Sequence, residues 1–257
     1  MHLHEFGPPD GSPLLALHGV SGHGGRFADL AARLGHYHVI APDLRGHGRS
    51  SPLPPWSLEQ QIDDLLTLLE PGVKTPVIGQ SLGGVLAARL AHAAPERIGR
   101  LVLIDIATLS SKRPELALAN AERMRIDVSY ADRVEARADR VRNGWQDVAA
   151  DLLDAEIEAH LEQREDGRWH WRYCRSALVA VFGELTRPVP APPPGVPTML
   201  LSGRASPAVT ADYRAACLDA LGDDLTQVEL DCGHLVYYER PAETAEHISA
   251  FLAPAPG

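Results

Sequence analysis

Pro76-Val77-Ile78-Gly79-Gln80-Ser81-Leu82-Gly83-Gly84 is the stretch on which the fold turns. Residues 76–79 form a short apolar run of strand character, and residues 82–93 carry a helical pattern. Between them, Gly79-Gln80-Ser81-Leu82-Gly83 fits G-x-S-x-G. A strand that passes straight into a helix must turn sharply, so small residues are needed beside the serine. Ser81 is then left exposed at the helix N-terminus as a candidate nucleophile. A glycine-rich turn with a helix-capping serine is the plainer alternative, but two companions go beyond it. His18-Gly19-Val20-Ser21-Gly22 directly follows the apolar run Leu14-Leu15-Ala16-Leu17. A loop of that kind can aim backbone N–H groups at a developing oxyanion, and such donors are worth about 3–4 kcal/mol each. The expected donors are the N–H groups of Val20 and Leu82. The second companion, Asp231-Cys232-Gly233-His234, follows the last apolar run, at the same sheet edge as Ser81, which makes His234 the candidate general base. The chain holds 12 histidines, so position rather than count selects this one.

Further strand candidates are Val39-Ile40-Ala41, Leu101-Val102-Leu103-Ile104, Thr198-Met199-Leu200-Leu201 and Gln227-Val228-Glu229-Leu230. Between them, Phe27, Leu30, Ala31 and Leu34 mark one helix face, and Leu58, Ile62, Leu65, Leu66 and Leu69 another, opened by a Ser57/Gln60 capping box. A last helix starts at Pro241 and runs through Ile248 and Leu252. Short strands alternating with helices predict βα units and a parallel sheet, with sites at the strand carboxyl ends. Residues 110–185 differ. They show no clear strand, and Val134, Ala138 and Val141, like Val148, Leu152 and Ala155, sit at helical spacing. This stretch is expected to be a helical insertion, with Arg133, Glu135, Arg137, Asp139 and Arg140 on a solvated face. The proline-rich run 187–197 returns the chain to the sheet.

With these motifs in order, the chain resembles the α/β-hydrolase superfamily over nearly its whole length. Asp43-Leu44-Arg45-Gly46-His47-Gly48-Arg49-Ser50 also matches that family's D-x-R-G-x-G-x-S loop. The resemblance implies an α/β fold with a mostly parallel central sheet flanked by helices. It implies a core of residues 1–109 and 186–257, and a helical cap of residues 110–185 over the active site. It also implies a Ser–acid–His chain order. The family's usual acid position, after the next-to-last strand, is Ser206 here, and a hydroxyl cannot stabilise an imidazolium as a carboxylate does. Some members carry the acid one strand earlier, and Leu103-Ile104-Asp105-Ile106 resembles the "IDIA" segment of a small bacterial esterase subgroup. Asp105 is therefore the expected triad acid, with Asp212 and Asp231 as fallbacks. The implied reaction is hydrolysis of a carboxylic ester-type bond through an acyl-serine. Lactone, thioester or C–C hydrolysis on the same triad and a receptor with little turnover are the alternatives.

Trp169 and Trp171 lie late in the insertion and are candidates for lining the acyl pocket, with packing of the cap as the plain alternative. No metal pattern or dinucleotide fingerprint appears, and no cofactor is expected. A formal net charge of −10 argues against nucleic-acid and anionic-membrane partners. The expected partner is a small-molecule acyl substrate, and a homo-oligomer is compatible with the sequence. The three cysteines are widely spaced, and the first residues lack a signal-peptide pattern, so a cytoplasmic protein is expected.

Overall fold

The computed structural model describes residues 1–108 and 112–253. The chain opens with β1 (Leu3–Phe6), followed by β2 (Ser12–Leu17), β3 (Tyr37–Pro42), β4 (Thr75–Gln80) and β5 (Ile98–Ile104). Within the insertion come β6 (Leu161–Gln163) and β7 (Trp169–Trp171), and the sheet resumes with β8 (Thr198–Gly203) and β9 (Leu225–Leu230). The order in the main sheet is β1-β3-β2-β4-β5-β8-β9. All neighbours are parallel except β1, which runs antiparallel along the β3 edge. Each of the six expected strands is present. β1 has no strand signal in the sequence, because Leu3-His4-Glu5-Phe6 is a half-exposed edge with no continuous apolar run.

Side chains alternate between the two faces of the sheet. Leu14, Ala16, Ile78 and Val102 point into one core, against α1 (Ala28–Leu34) and α10 (Pro241–Leu252). Leu15, Leu17, Val77 and Leu101 point into the other, against α2 (Leu58–Leu66), α3 (Leu82–Ala93) and α8 (Ala211–Leu221). The capping box of α2 forms only in part. Ser57 Oγ accepts from the Gln60 N–H at 3.3 Å, while the Gln60 side chain turns to Asp64 instead.

Register positions the chemistry. Gln80 lies opposite Ile104 across β4 and β5. The residues that follow, Ser81 and Asp105, therefore leave the sheet side by side at its carboxyl edge.

The insertion between β5 and β8 contains α4 (Pro114–Arg125), α5 (Arg133–Arg140), a π-turn at Val141–Trp145, α6 (Ala150–His160) and α7 (Arg175–Glu184). Its expected first boundary, between residues 109 and 110, lies outside the described residues. Two expectations change. The insertion is not purely helical, because Leu161–Gln163 pairs with Trp169–Trp171 as a small antiparallel hairpin. And α5 does not bury the Val134/Ala138 stripe: Val134 is 74% exposed, while Ala136 is buried. Arg140, expected in solvent, turns inward. Its guanidinium lies 3.7 Å over the Trp171 ring and 3.0 Å from Glu156. A paired charge outweighs the simple helical hydrophobic pattern here.

The insertion docks on loops that follow the strand carboxyl ends. The N–H of Gly48 donates to Arg172 O, and the N–H of Cys174 donates to Gly46 O. Trp145 packs on Tyr238 in the short helix α9 (Val236–Glu239), just after His234.

Candidate active site

Ser81 stands between β4 and α3 with φ 54° and ψ −113°, in the left-handed half of backbone space that non-glycine residues seldom enter. The turn is held from three sides. The Ser81 N–H donates to Ile104 O at 3.0 Å, while Ser81 O accepts from the Val85 N–H at 3.2 Å and the Ala107 N–H at 3.3 Å. The glycines of the motif make the close approach. A Cβ on Gly83 would lie 2.0 Å from Leu17 O, a backbone atom that cannot move aside.

Asp105 also has positive φ, 43°, and is fully buried. Its carboxylate accepts three hydrogen bonds. Oδ2 receives His234 Nδ1 at 2.5 Å and the Ser206 hydroxyl, and Oδ1 receives the Gly203 N–H at 3.2 Å. Ser206, at the family's usual acid position, is thus a donor to a carboxylate one strand away. Asp231 is largely exposed beside Arg204, and Asp212 is exposed beside Lys112, so neither fallback carboxylate is recorded in contact with His234.

With Nδ1–H given to Asp105, His234 keeps Nε2 as an acceptor. The Gln80 amide reaches that nitrogen at 3.3 Å and the His234 carbonyl at 3.4 Å. Gln80, the residue before Ser81, therefore links the imidazole to the elbow. It was a wild-card position in the sequence motif, and no local signal marked it.

The loop after β2 passes directly against Ser81. A Cβ on Gly19 would sit 3.2 Å from Ser81 Cβ and 2.3 Å from Gln80 Oε1. Gly19 and Gly22 close a turn, with the Gly22 N–H on Gly19 O at 3.0 Å, and Ser21 takes φ 58°. Val20 follows Gly19 in this turn. Leu82 is the first residue of α3, so its N–H has no acceptor within the helix. His18 fixes the loop from behind, with Nδ1 2.8 Å from Gly19 O and Nε2 accepting the Leu44 N–H at 3.0 Å. Complete burial, reinforced by the neighbouring His47, holds the His18 pKa well below the usual histidine value. It therefore stays neutral, as an acceptor nitrogen requires.

Trp169 and Trp171 occupy the small hairpin of the insertion. The Trp171 indole N–H donates to the Tyr130 hydroxyl at 3.0 Å, and its ring face carries Arg140. Arg133 lies 4.4 Å over Trp169. The recorded polar and ring partners of both tryptophans are residues of the insertion itself.

A second buried cluster joins the insertion to the β2–α1 loop. Glu156 receives His23 Nε2 at 3.0 Å, Arg26 at 2.6 and 3.1 Å, and Arg140 at 3.0 Å. Burial pushes the Glu156 carboxyl up, but Arg26, the His23 hydrogen bond and Arg140 outweigh it and hold the pKa well below the carboxylate range. No sequence pattern marks this cluster, because Arg26 and Glu156 are 130 residues apart.

Among the described residues, one group of histidine and acidic side chains comes close enough to hold a metal ion: His2, His4 and Asp43, with ligand atoms within 4.8 Å. Asp43 already accepts the N–H groups of Gly24 and Arg49 and contacts His4 Nε2, and so fixes the loop after β3. None of the described helices is long and apolar enough to cross a membrane.

Residues 14–247 match the Alpha/beta hydrolase family. The chain is similar to Lipase LipV of Mycobacterium tuberculosis, at 37% identity over 99% of this chain and 98% of that one. It is also similar to Esterase YbfF of Escherichia coli, at 27% identity over 94% of this chain and 93% of that one. In three dimensions it resembles E-2-(Acetamidomethylene)succinate Hydrolase, with a TM-score of 0.83 at 21% identity over 97% of this chain and 94% of that one. At that identity the likeness speaks for the fold alone. Together with the Ser81 elbow and the match over residues 14–247, these findings place the chain in the alpha/beta hydrolase family.

Proposed function

We propose that the protein is a serine hydrolase that cleaves carboxylic ester bonds through an acyl-serine intermediate. The observation that carries this reading is the continuous contact from the strained Ser81 turn through Gln80 to His234 and on to Asp105. The names of the lipase and esterase relatives support the ester bond as its target.

Ser81 Oγ attacks the ester carbonyl while His234 Nε2 takes its proton. Asp105 holds Nδ1–H, fixes the tautomer and stabilises the imidazolium that forms. The N–H groups of Val20 and Leu82 receive the oxyanion. Collapse of the tetrahedral intermediate releases the alcohol with the proton from His234. Water, deprotonated by the same nitrogen, then displaces the carboxylic acid from Ser81. Residues 110–185 act as the cap that shapes access for a small acyl substrate. Three unpaired cysteines support a reducing, cytoplasmic setting.

The test is hydrolysis of short-chain p-nitrophenyl esters and labelling by a fluorophosphonate probe, with wild type and Ser81→Ala. Turnover and labelling are expected in the wild type and both are lost in Ser81→Ala. A wild type that neither turns over nor labels would overturn the enzyme assignment.

A further inference from the structure

A cleft of about 970 Å³ opens between the loop after β3 and the insertion. Neither Ser81, His234 nor Asp105 lines it, and neither does Val20 or Leu82. Its walls instead carry Arg49, Arg125, Arg164, Arg172 and Arg175 against one acidic lining residue, Glu162. Five guanidinium groups around one cavity stand out in a chain whose formal charge is −10. Like charges at such density repel unless something negative compensates them.

The internal compensation falls short. Glu162 is shared by two of the five, at 3.1 Å from Arg164 and 2.8 Å from Arg172. Arg175 pairs with Asp127 at 3.2 Å, and Arg125 with an exposed Glu122. Arg49 anchors its backbone N–H on Asp43, while its guanidinium has no ion-pair or hydrogen-bond partner among the described residues. The cleft therefore keeps both an excess of positive charge and unused N–H donors.

The missing partner can be described by its geometry. One guanidinium saturates a planar carboxylate with two parallel hydrogen bonds. Guanidinium groups arriving from separate walls, from the loop after β3, from the hairpin and from the start of α7, call for acceptor oxygens that point in several directions. They also call for more than one negative charge. A phosphate group supplies both. Tyr173, Pro52 and Val179 on the same lining leave room for a carbon skeleton attached to it.

We propose that this cleft is a binding site for a phosphate group carried by a small molecule or a lipid, separate from the Ser81 chemistry. The probe is inorganic pyrophosphate, titrated calorimetrically into the wild type at low salt. Saturable binding is expected, about tenfold weaker in Arg49→Gln and again in Arg164→Gln. It is unchanged in Arg97→Gln, which removes the same charge far along the sequence beside Glu96, and in Ser81→Ala. Acetate should not compete.

No binding, equal loss in Arg97→Gln, or competition by acetate at matched ionic strength would each overturn the site. Arg49→Lys guards against a folding artefact: it should bind between wild type and Arg49→Gln, with an unchanged unfolding transition. A second arm separates the sources. Co-sedimentation with phosphatidylglycerol vesicles that is abolished by Arg49→Gln assigns the site to a lipid headgroup. Pyrophosphate binding without co-sedimentation assigns it to a soluble phosphate compound. Because Ser81→Ala is read in parallel, failure of this site leaves the hydrolase proposal standing, and the reverse also holds.

Discussion

Asp105 shows how much one atom's neighbours decide. Its three accepted hydrogen bonds hold the carboxylate in line with His234 Nδ1, and any substitute must keep both the charge and the aim. Asp105→Asn should therefore fold normally and lower kcat by roughly 10⁴-fold, because an amide favours the wrong imidazole tautomer. Asp231→Asn should leave kcat near that of the wild type. Steady-state ester hydrolysis by the two variants checks both, and the opposite ranking would remove Asp105 from the triad. In the proposed mechanism Ser206 acts through Asp105 rather than on substrate. Ser206→Ala should cost roughly tenfold in kcat with KM little changed, since one charge-assisted hydrogen bond to the carboxylate is lost. A change confined to KM would contradict that role.

At the scale of elements, two contacts bind the site to its frame. The first is α3 against the end of β2, where Gly83 leaves no space for a Cβ against Leu17 O. Gly83→Ala should lower unfolding stability by about 3 kcal/mol or more, measured by urea denaturation, because backbone cannot yield as a side chain can. The second contact is α6 against the β2–α1 loop through Glu156. Glu156→Gln leaves Arg26 and Arg140 buried without their counter-charge. Such a loss costs about 3–5 kcal/mol, or roughly 10 °C in Tm for a chain of this size. Calorimetry would show it, and a shift smaller than about 2 °C would mean that water or another group replaces the carboxylate.

Over the whole molecule, buried titratable groups push stability the same way with pH. Burial drives His47 down to about 4, and drives His18 and His160 well below the ordinary histidine value. These rings are neutral in the fold but take up protons in the unfolded chain below about pH 6.5. Stability is therefore lost as the pH falls from there towards the folded values. Glu156 adds to this further down. Its pKa is depressed, so its contribution is present above the unfolded carboxylate value and lost as the pH falls through the folded one. Tm should be flat near neutrality and fall steadily below about pH 6.5, and His47→Gln should flatten the upper part of that slope. A protein more stable at pH 5 than at pH 7 would contradict the assignment.

The alternation of strands and helices, the Ser81 turn, the loop after β2 and the place of His234 are legible in the order of residues alone. Each of these is written in a few adjacent residues whose spacing is forced by backbone geometry. The choice among acids was legible only as an expectation drawn from Ser206 and Asp105. The remaining contacts arise only when the packed chain brings distant residues together. Gln80 at His234, Ser206 as donor to Asp105, and Arg140 turned inward onto Glu156 are contacts between residues 16 to 154 positions apart. The β1 edge and the hairpin of Trp169 and Trp171 were likewise set by partners rather than by their own short runs. The physical reason is the same in each case. Local patterns record which face a residue shows to a core, whereas a buried polar group is settled by whichever partner the packed chain brings within hydrogen-bonding distance.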